Sequence, residues 1–327
     1  MTTRRSLLTR FCTGAGALLL PGVLPVFALE TASLIVPFPA GGGGDVLART
    51  AAAAFGEELG VKLWIDNRPG AGGVIGARHA AHAAPDGRTF GYATNGIFCV
   101  NPLLYPQAAF DPVRELTPVG RLSEIGLVGV LNPQALSGVT DLASLIAHAR
   151  ARPKAVNFAS SGVGTTSHLA GLLFAQTAGV ELTHVPYRGG AAALLDVLSG
   201  RIPFMIDVMP NVLPHVRSGA LAPLGAASRV RLAAAPEIPT FAEQGLAGME
   251  LSAWDGLVLP KDASPELVRR ASAALNRALA HPEVREGLAK KGAEPRPGTP
   301  EEFARFIEAE RPKWARLVRA LSAERAD

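Results

Sequence analysis

Four short stretches place glycine beside hydroxyls or charged groups where a strand-like run hands over to a helix-like one. They are Gly41, Gly42, Gly43 and Gly44 before Asp45; 67–73; Ser160, Ser161, Gly162, Val163, Gly164, Thr165 and Thr166; and Tyr187, Arg188, Gly189 and Gly190. The first turn of a helix offers unpaired N–H groups and a partial positive charge, and glycine lets a ligand come close to the backbone. The chemistry on offer is the non-covalent grip of an anion without a lysine or arginine. Taken singly, each loop reads first as an ordinary turn, but four successive glycines exceed what a turn needs. The Asp45 carboxylate reads as a helix cap ahead of a base. Of the four hydroxyls at 160–166, one is needed as a cap and the others are left for a ligand. Asp207 closes the apolar run 202–206, and a carboxylate at the end of a buried strand must find partners or rise in pKa; its competing role is a cap for the segment after Pro210.

Bond-making chemistry finds little support. There is no G-x-S-x-G elbow, and Ser167 and His168 do not become nucleophile and base by being neighbours. His79 and His82, three apart on a helix-like stretch, have a metal-binding spacing but no third ligand, so a solvated helix face is the simpler reading. Gly70, Gly72 and Gly76 approach a dinucleotide fingerprint without its spacing. No acidic ribose partner follows them, because Asp86 belongs to the turn Pro85, Asp86, Gly87. The expectation is therefore a protein that is not an enzyme and has no metal or cofactor, with a dinucleotide-dependent oxidoreductase as the enzyme alternative. Arg188 pairs either with a ligand carboxylate or with a surface acid. Trp254 packs at a hinge or stacks on ligand, packing being the simpler role.

The elements that must hold these loops are strand-like runs at 34–38, 61–65, 155–159 and 182–186, each followed by a glycine loop and an amphipathic stretch. This is the pattern of a mostly parallel sheet flanked by helices. In such sheets the loops gather at the carboxyl ends of the strands, where ligands bind. The run 96–100 also reads as strand and buries an inert Cys99. Ser264, Pro265 and Glu266, and Thr299 with Glu302, are helix starts, and Pro312 is expected to kink or divide the last helix.

The chain has 327 residues, 48% hydrophobic and 18% charged, with 35 Gly and 26 Pro. That is enough for one or two cores and excludes a wholly disordered chain. No run reaches the roughly 18 apolar residues of a membrane-spanning helix. The formal charge of +4 does not indicate a nucleic-acid partner, because three of the 32 basic residues, Arg4, Arg5 and Arg10, sit ahead of the first acid, leaving 29 against 28 acidic groups. With the short apolar stretch 11–20 and Val26, Phe27, Ala28, the opening segment reads as an export signal of twin-arginine or general secretory type, cleaved after Ala28. Cys12 falls within it, leaving Cys99 without a partner and a monomer without a disulfide as the expectation.

Leu34, Ile35, Val36, Pro37, Phe38, Pro39, Ala40, Gly41 and Gly42, followed by Asp45, Ala48 and Arg49, resemble the opening signature of the periplasmic solute-binding proteins of tripartite tricarboxylate transporters, the Bug family. The stretches 67–73, 85–87, 157–162, 166–171 and 184–190, then Pro239, Thr240, Glu243, Gly245, Trp254 and Gly256, extend the resemblance over the mature chain. It implies a two-lobed periplasmic binding protein of type II, a Venus flytrap, each lobe a mostly parallel sheet with flanking helices. Lobe one is expected at 29–128 plus 252–327 and lobe two at 129–251, with hinge segments near 127–132 and 251–256. The implied ligand is a small carboxylate or amino acid. Its first wall would be Ala40, Gly41, Gly42, Gly43, Gly44 and Asp45 with Asn95; its second, Ser160, Ser161, Gly164, Thr165, Thr166, Tyr187 and Asp207. Implied partners are inner-membrane transporter subunits, with a sensor protein reading the ligand as the alternative. Ala40, where the family often has Pro, and the stretch 95–99 depart from the pattern beside the presumed ligand.

Overall fold

A computed structural model describes residues 30–105 and 110–323. The arginines at 4, 5 and 10, Cys12 and the expected cleavage after Ala28 lie outside the described residues. In chain order the first part comprises β1 (Glu30–Val36), α1 (Gly43–Leu59), β2 (Val61–Asn67), α2 (Val74–Ala81), β3 (Thr89–Thr94), α3 (Asn101–Leu104), α4 (Pro112–Glu115) and β4 (Leu116–Ile125). The middle part holds β5 (Leu127–Leu131), α5 (Leu142–Ala151), β6 (Asn157–Ser160), α6 (Thr166–Ala178), β7 (Thr183–Pro186), α7 (Gly190–Leu198), β8 (Phe204–Val208), α8 (Met209–Arg217) and β9 (Ala222–Ala226). The last part is β10 (Ala253–Pro260), α9 (Pro265–Ala280), α10 (Pro282–Ala289), β11 (Ala293–Pro295) and α11 (Pro300–Ala323). Among the described residues no helix is long and apolar enough to cross a membrane.

Two sheets result, ordered β11-β4-β10-β3-β1-β2 and β7-β6-β8-β5-β9, and each with its helices forms one lobe of an α/β protein. Both sheets are mixed rather than mostly parallel. The pairs β1/β2, β1/β3, β6/β7 and β6/β8 are parallel, joined through helical crossovers. β10 is antiparallel to β3 and β4, and β5 to β8 and β9. The antiparallel strands are the ones that carry the chain between lobes, so they enter a sheet against the direction of its βαβ half. The chain crosses at Gly126 and returns between Ala226 and Ala253. The stretch 127–131 lies inside the second sheet as β5 and 253–256 inside the first as β10, so neither is a free connecting segment.

Burial follows the pleat and the helical stripe. β1 is buried from Ala32 to Val36, as suits a strand covered on both faces. Leu47, Ala48, Ala51 and Phe55 of α1 cover one face, with Phe55 edge-on to Phe90 at 5.2 Å. On the other face α11 sets Phe303 and Phe306 edge-on to Trp254 at 5.6 and 5.5 Å. The same apolar cluster takes in Leu169 of α6, so α11 and β10 are packed against the second lobe as well. Helix α11 runs on through Pro312 without division, held along its length by Phe303, Ile307, Trp314 and Val318 in the core. The expected caps are present: Ser264 accepts from the Leu267 amide, while Thr299 and Glu302 bond each other's amides.

The run 96–100 is not a strand. It forms a single π-helical turn directly after β3, with all five residues buried, including Cys99, whose thiol is pushed up by burial. A short, fully buried apolar run has the same pattern in either conformation. Phe303 owes its seat to Gly256 of β10, where a Cβ would stand 2.5 Å from the Phe303 ring and 2.7 Å from the Gly120 carbonyl oxygen. Gly256→Ala should therefore overpack this layer and cost about 1–3 kcal/mol, read as a lower urea midpoint at unchanged slope. A midpoint equal to wild type would mean that the α11 layer is not held by this contact.

Candidate functional site

A cleft of about 650 Å³, counting its open mouth, lies where the lobes meet. Lobe one contributes Gly42, Gly43 and Gly44 at the start of α1, Phe38 from the loop before it, and Tyr92, Asn95 and Trp254 from the end of its sheet. Lobe two contributes Ser161, Thr165, Thr166, Gly190, Asp207 and Asn211. No lysine, arginine or histidine lines this chamber among the described residues.

Its donors are main-chain amides by design of the sequence. The residue preceding α1 is Gly42, which has no side chain with which to cap the helix. Asp45, read from sequence as the cap, sits one turn inside instead. Its carboxylate accepts from the Gly41 amide at 2.9 Å, Arg49 at 2.9 Å and Asn67 at 2.8 Å. Burial would raise its pKa, but those bonds outweigh burial and hold the carboxyl below its ordinary value. Asp45 thus braces the glycine loop from behind and leaves the first amides of α1 uncapped toward the cleft. Across the chamber α7 begins the same way, behind Gly189 and without a side-chain cap. Two helix N-termini from opposite lobes therefore bring partial positive charge to one small space. Helix α6 differs: Thr165 caps it, accepting from the His168 amide and donating to the Gly162 carbonyl at 2.7 Å.

The remaining polar side chains hold one another in place. Asn95 donates to Thr166 Oγ1 at 2.7 Å across the lobe boundary, while its own oxygen receives the Trp254 amide at 3.4 Å. With a lone pair of Thr166 taken by Asn95, the hydroxyl keeps its proton to give. Asp207 is fully buried, and burial pushes its pKa up against the hydrogen bonds of Asn211, the Val208 amide and Ser161. Asn211 and Ser161 reach it at 2.6 and 3.0 Å. Behind the chamber wall Tyr92 donates its hydroxyl to Asp255, whose other oxygen accepts from the Ser123 amide at 2.8 Å and hydroxyl at 2.7 Å.

Of the residues expected from sequence, Gly42, Gly43, Gly44, Asn95, Ser161, Thr165, Thr166 and Asp207 line the chamber. Ala40, Gly41, Asp45, Ser160, Gly164 and Tyr187 do not. Ser160 bonds the His184 ring at 2.7 Å, the Gly164 amide bonds His168, and Tyr187 donates to Asp196 at 2.6 Å. These side chains and amides are tied up in holding the loops. Sequence reasoning missed Phe38, Tyr92, Ile125 and Asn211 as lining residues, whereas Gly190 belongs to one of the four glycine loops. Asn211 carried a usable signal, since it lies one helical turn after Asp207; Tyr92 carried none. Ser167, weighed as a nucleophile, donates to the Ile206 carbonyl at 2.6 Å.

Comparison with known proteins bears on the family and the fold. Residues 47–323 match the family described as "Tripartite tricarboxylate transporter family receptor". Protein BugT of Bordetella pertussis (strain Tohama I) is 36% identical over 292 residues, covering 89% of each chain. Among solved structures, R. palustris Rpa4515 with adipate superposes with a TM-score of 0.86 at 34% identity, over 90% of this chain and 97% of that one. MatC from Rhodopseudomonas palustris with bound malate gives a TM-score of 0.83 at 32% identity, over 90% and 100%.

Burial pushes the Asp255 carboxyl up to about 6, against the bonds from Ser123 and Tyr92 that favour its charged form. Between its ordinary value of 3.8 and about 6, the folded protein keeps a proton that the unfolded chain has released. Stability should therefore fall as pH rises through that window, by on the order of 2–3 kcal/mol from this group. Asp255→Asn should remove the fall, so the gap between wild-type and variant unfolding free energies should change from pH 4 to pH 7. Parallel pH profiles for the two proteins would refute the raised pKa.

Proposed function

Because the chain belongs to the receptor family of tripartite tricarboxylate transporters, we propose that this periplasmic-type solute-binding protein captures a small carboxylate-bearing metabolite between its lobes. The observation that carries the reading is the pair of uncapped glycine N-termini, α1 and α7, facing one chamber that has no basic side chain among the described residues. A carboxylate there accepts from amides of both lobes at once, and the Thr166 hydroxyl adds a donor. Closure removes water and strengthens each charge-assisted bond. The adipate and malate seen with the two R. palustris proteins support the ligand class. The lobes swing about the two crossings, at Gly126 and within 227–252. After export and cleavage near Ala28 the monomer would deliver its ligand to inner-membrane transporter subunits, the bound jaw being the form they read.

Asp207 favours a second reading of the ligand. A buried carboxylate in the lining accommodates an acid only while it is itself protonated or fully satisfied by Asn211 and Ser161, whereas an amino acid would offer it an ammonium group. A thermal-shift panel of dicarboxylates and acidic amino acids separates the two. A true ligand at 100 times its dissociation constant adds roughly 2.7 kcal/mol.

Gly43 lies in lobe one where a Cβ would stand 2.6 Å from Val208 Cγ2 of lobe two. Gly43→Ala should hold the jaw ajar, weakening the ligand found in that panel by roughly tenfold or more, the equivalent of losing one good hydrogen bond. Its circular dichroism should match wild type. Full affinity in this variant, or steady chemical conversion of the ligand by the purified chain, would overturn the reading.

A further inference from the structure

The cleft continues past the chamber. A neighbouring space of about 660 Å³ shares the walls Phe38, Gly72 and Ser161 with it and opens outward between Pro39, Tyr105 and Tyr187. One short loop connects the two: Tyr187, Arg188 and Gly189 line the outer vestibule, and the next residue, Gly190, lines the chamber. The Cα atoms of Arg188 and Gly190 are thus at most roughly 7 Å apart. Gly189 itself is packed on Pro39 of the other lobe, where a Cβ would come within 2.6 Å, so the loop lies on the closing seam.

Arg188 is the only charged residue lining the vestibule and the only basic one lining either space among the described residues. It is exposed, and among the described residues it makes no ion pair or hydrogen bond. The acid on the adjoining helix cannot serve it, because Asp196 is taken by the Tyr187 hydroxyl at 2.6 Å and by Arg201 at 2.5 Å. An arginine with no structural acid, facing Tyr, Phe and Pro surfaces at the mouth of an anion chamber, has the geometry to meet the far end of a ligand. We propose that Arg188 forms a second anion subsite, selecting ligands whose second acidic group extends past Phe38 from the chamber into the vestibule. This rests on the capture of a first carboxylate by the chamber. The guanidinium would pair the second group bidentately and come to it as the lobes shut.

The test uses matched acids that differ only in the second group, succinate against butyrate and adipate against hexanoate, titrated calorimetrically into the full chain, Arg188→Gln and Arg188→Lys. Wild type should prefer at least one diacid over its monoacid. Arg188→Gln should lose roughly five- to tenfold for that diacid at low salt and nothing for the monoacid, and Arg188→Lys should recover part of the loss. Added salt should narrow the diacid preference in wild type but not in Arg188→Gln. Equal affinities of wild type and Arg188→Gln for every diacid bound, or an equal loss for diacid and monoacid, would overturn the subsite while leaving the chamber intact. If wild type binds none of the four acids, the subsite as stated falls, while the carboxylate reading is decided separately by the thermal-shift panel.

Discussion

An anion can be held by main-chain amides only if nothing else has claimed them, and the start of α1, which has no side-chain cap, meets that condition. A serine or aspartate at the residue before α1 would satisfy the first turn from within. Glycine leaves the turn unsatisfied, and the free amides then need a loop rigid enough to aim them. That rigidity comes from Asp45, whose carboxylate ties together the Gly41 amide, Arg49 and Asn67. The negative charge lies behind the loop and is neutralised there, so it does not compete with a ligand in front.

The same division between aiming and contacting runs through the second lobe. Thr165 caps α6 and closes the turn on Gly162, and Ser160 and His184 join β6 to β7. These contacts hold the loops that place Thr166 and Gly190 in the chamber wall, which Thr165 also lines. Asp207 gathers Ser161 and Asn211 around one buried oxygen, which fixes two polar side chains that would otherwise sample several rotamers.

Much of this was legible in the sequence because glycine at a strand-to-helix junction has a local meaning. The caps at Ser264 and Thr299 were legible for the same reason, their partners being three residues away. What was hidden depends on distant pairings. Asp45 was read as a cap because its partner Asn67, 22 residues on, could not be foreseen. Tyr92 and Asp255 are 163 residues apart, and nothing local marks either as a member of a pair. The turn at 96–100 had a composition equally fit for strand or helix. β4 and β5 follow each other with only Gly126 between them, so no local signal marks the residue at which one sheet gives way to the other. The mixed character of the sheets is not legible locally, since strand direction is set by where the chain returns from, which hydrophobic pattern does not encode.

The apolar cluster that joins Leu169 of α6 to Trp254, Phe303 and Ile307 has a thermal corollary. Parting the lobes peels hydrocarbon off hydrocarbon and wets both faces, so the empty protein resists gaping by an amount that shrinks on cooling. The apolar share of the hold between the two lobes is therefore weaker in the cold and stronger in the warm.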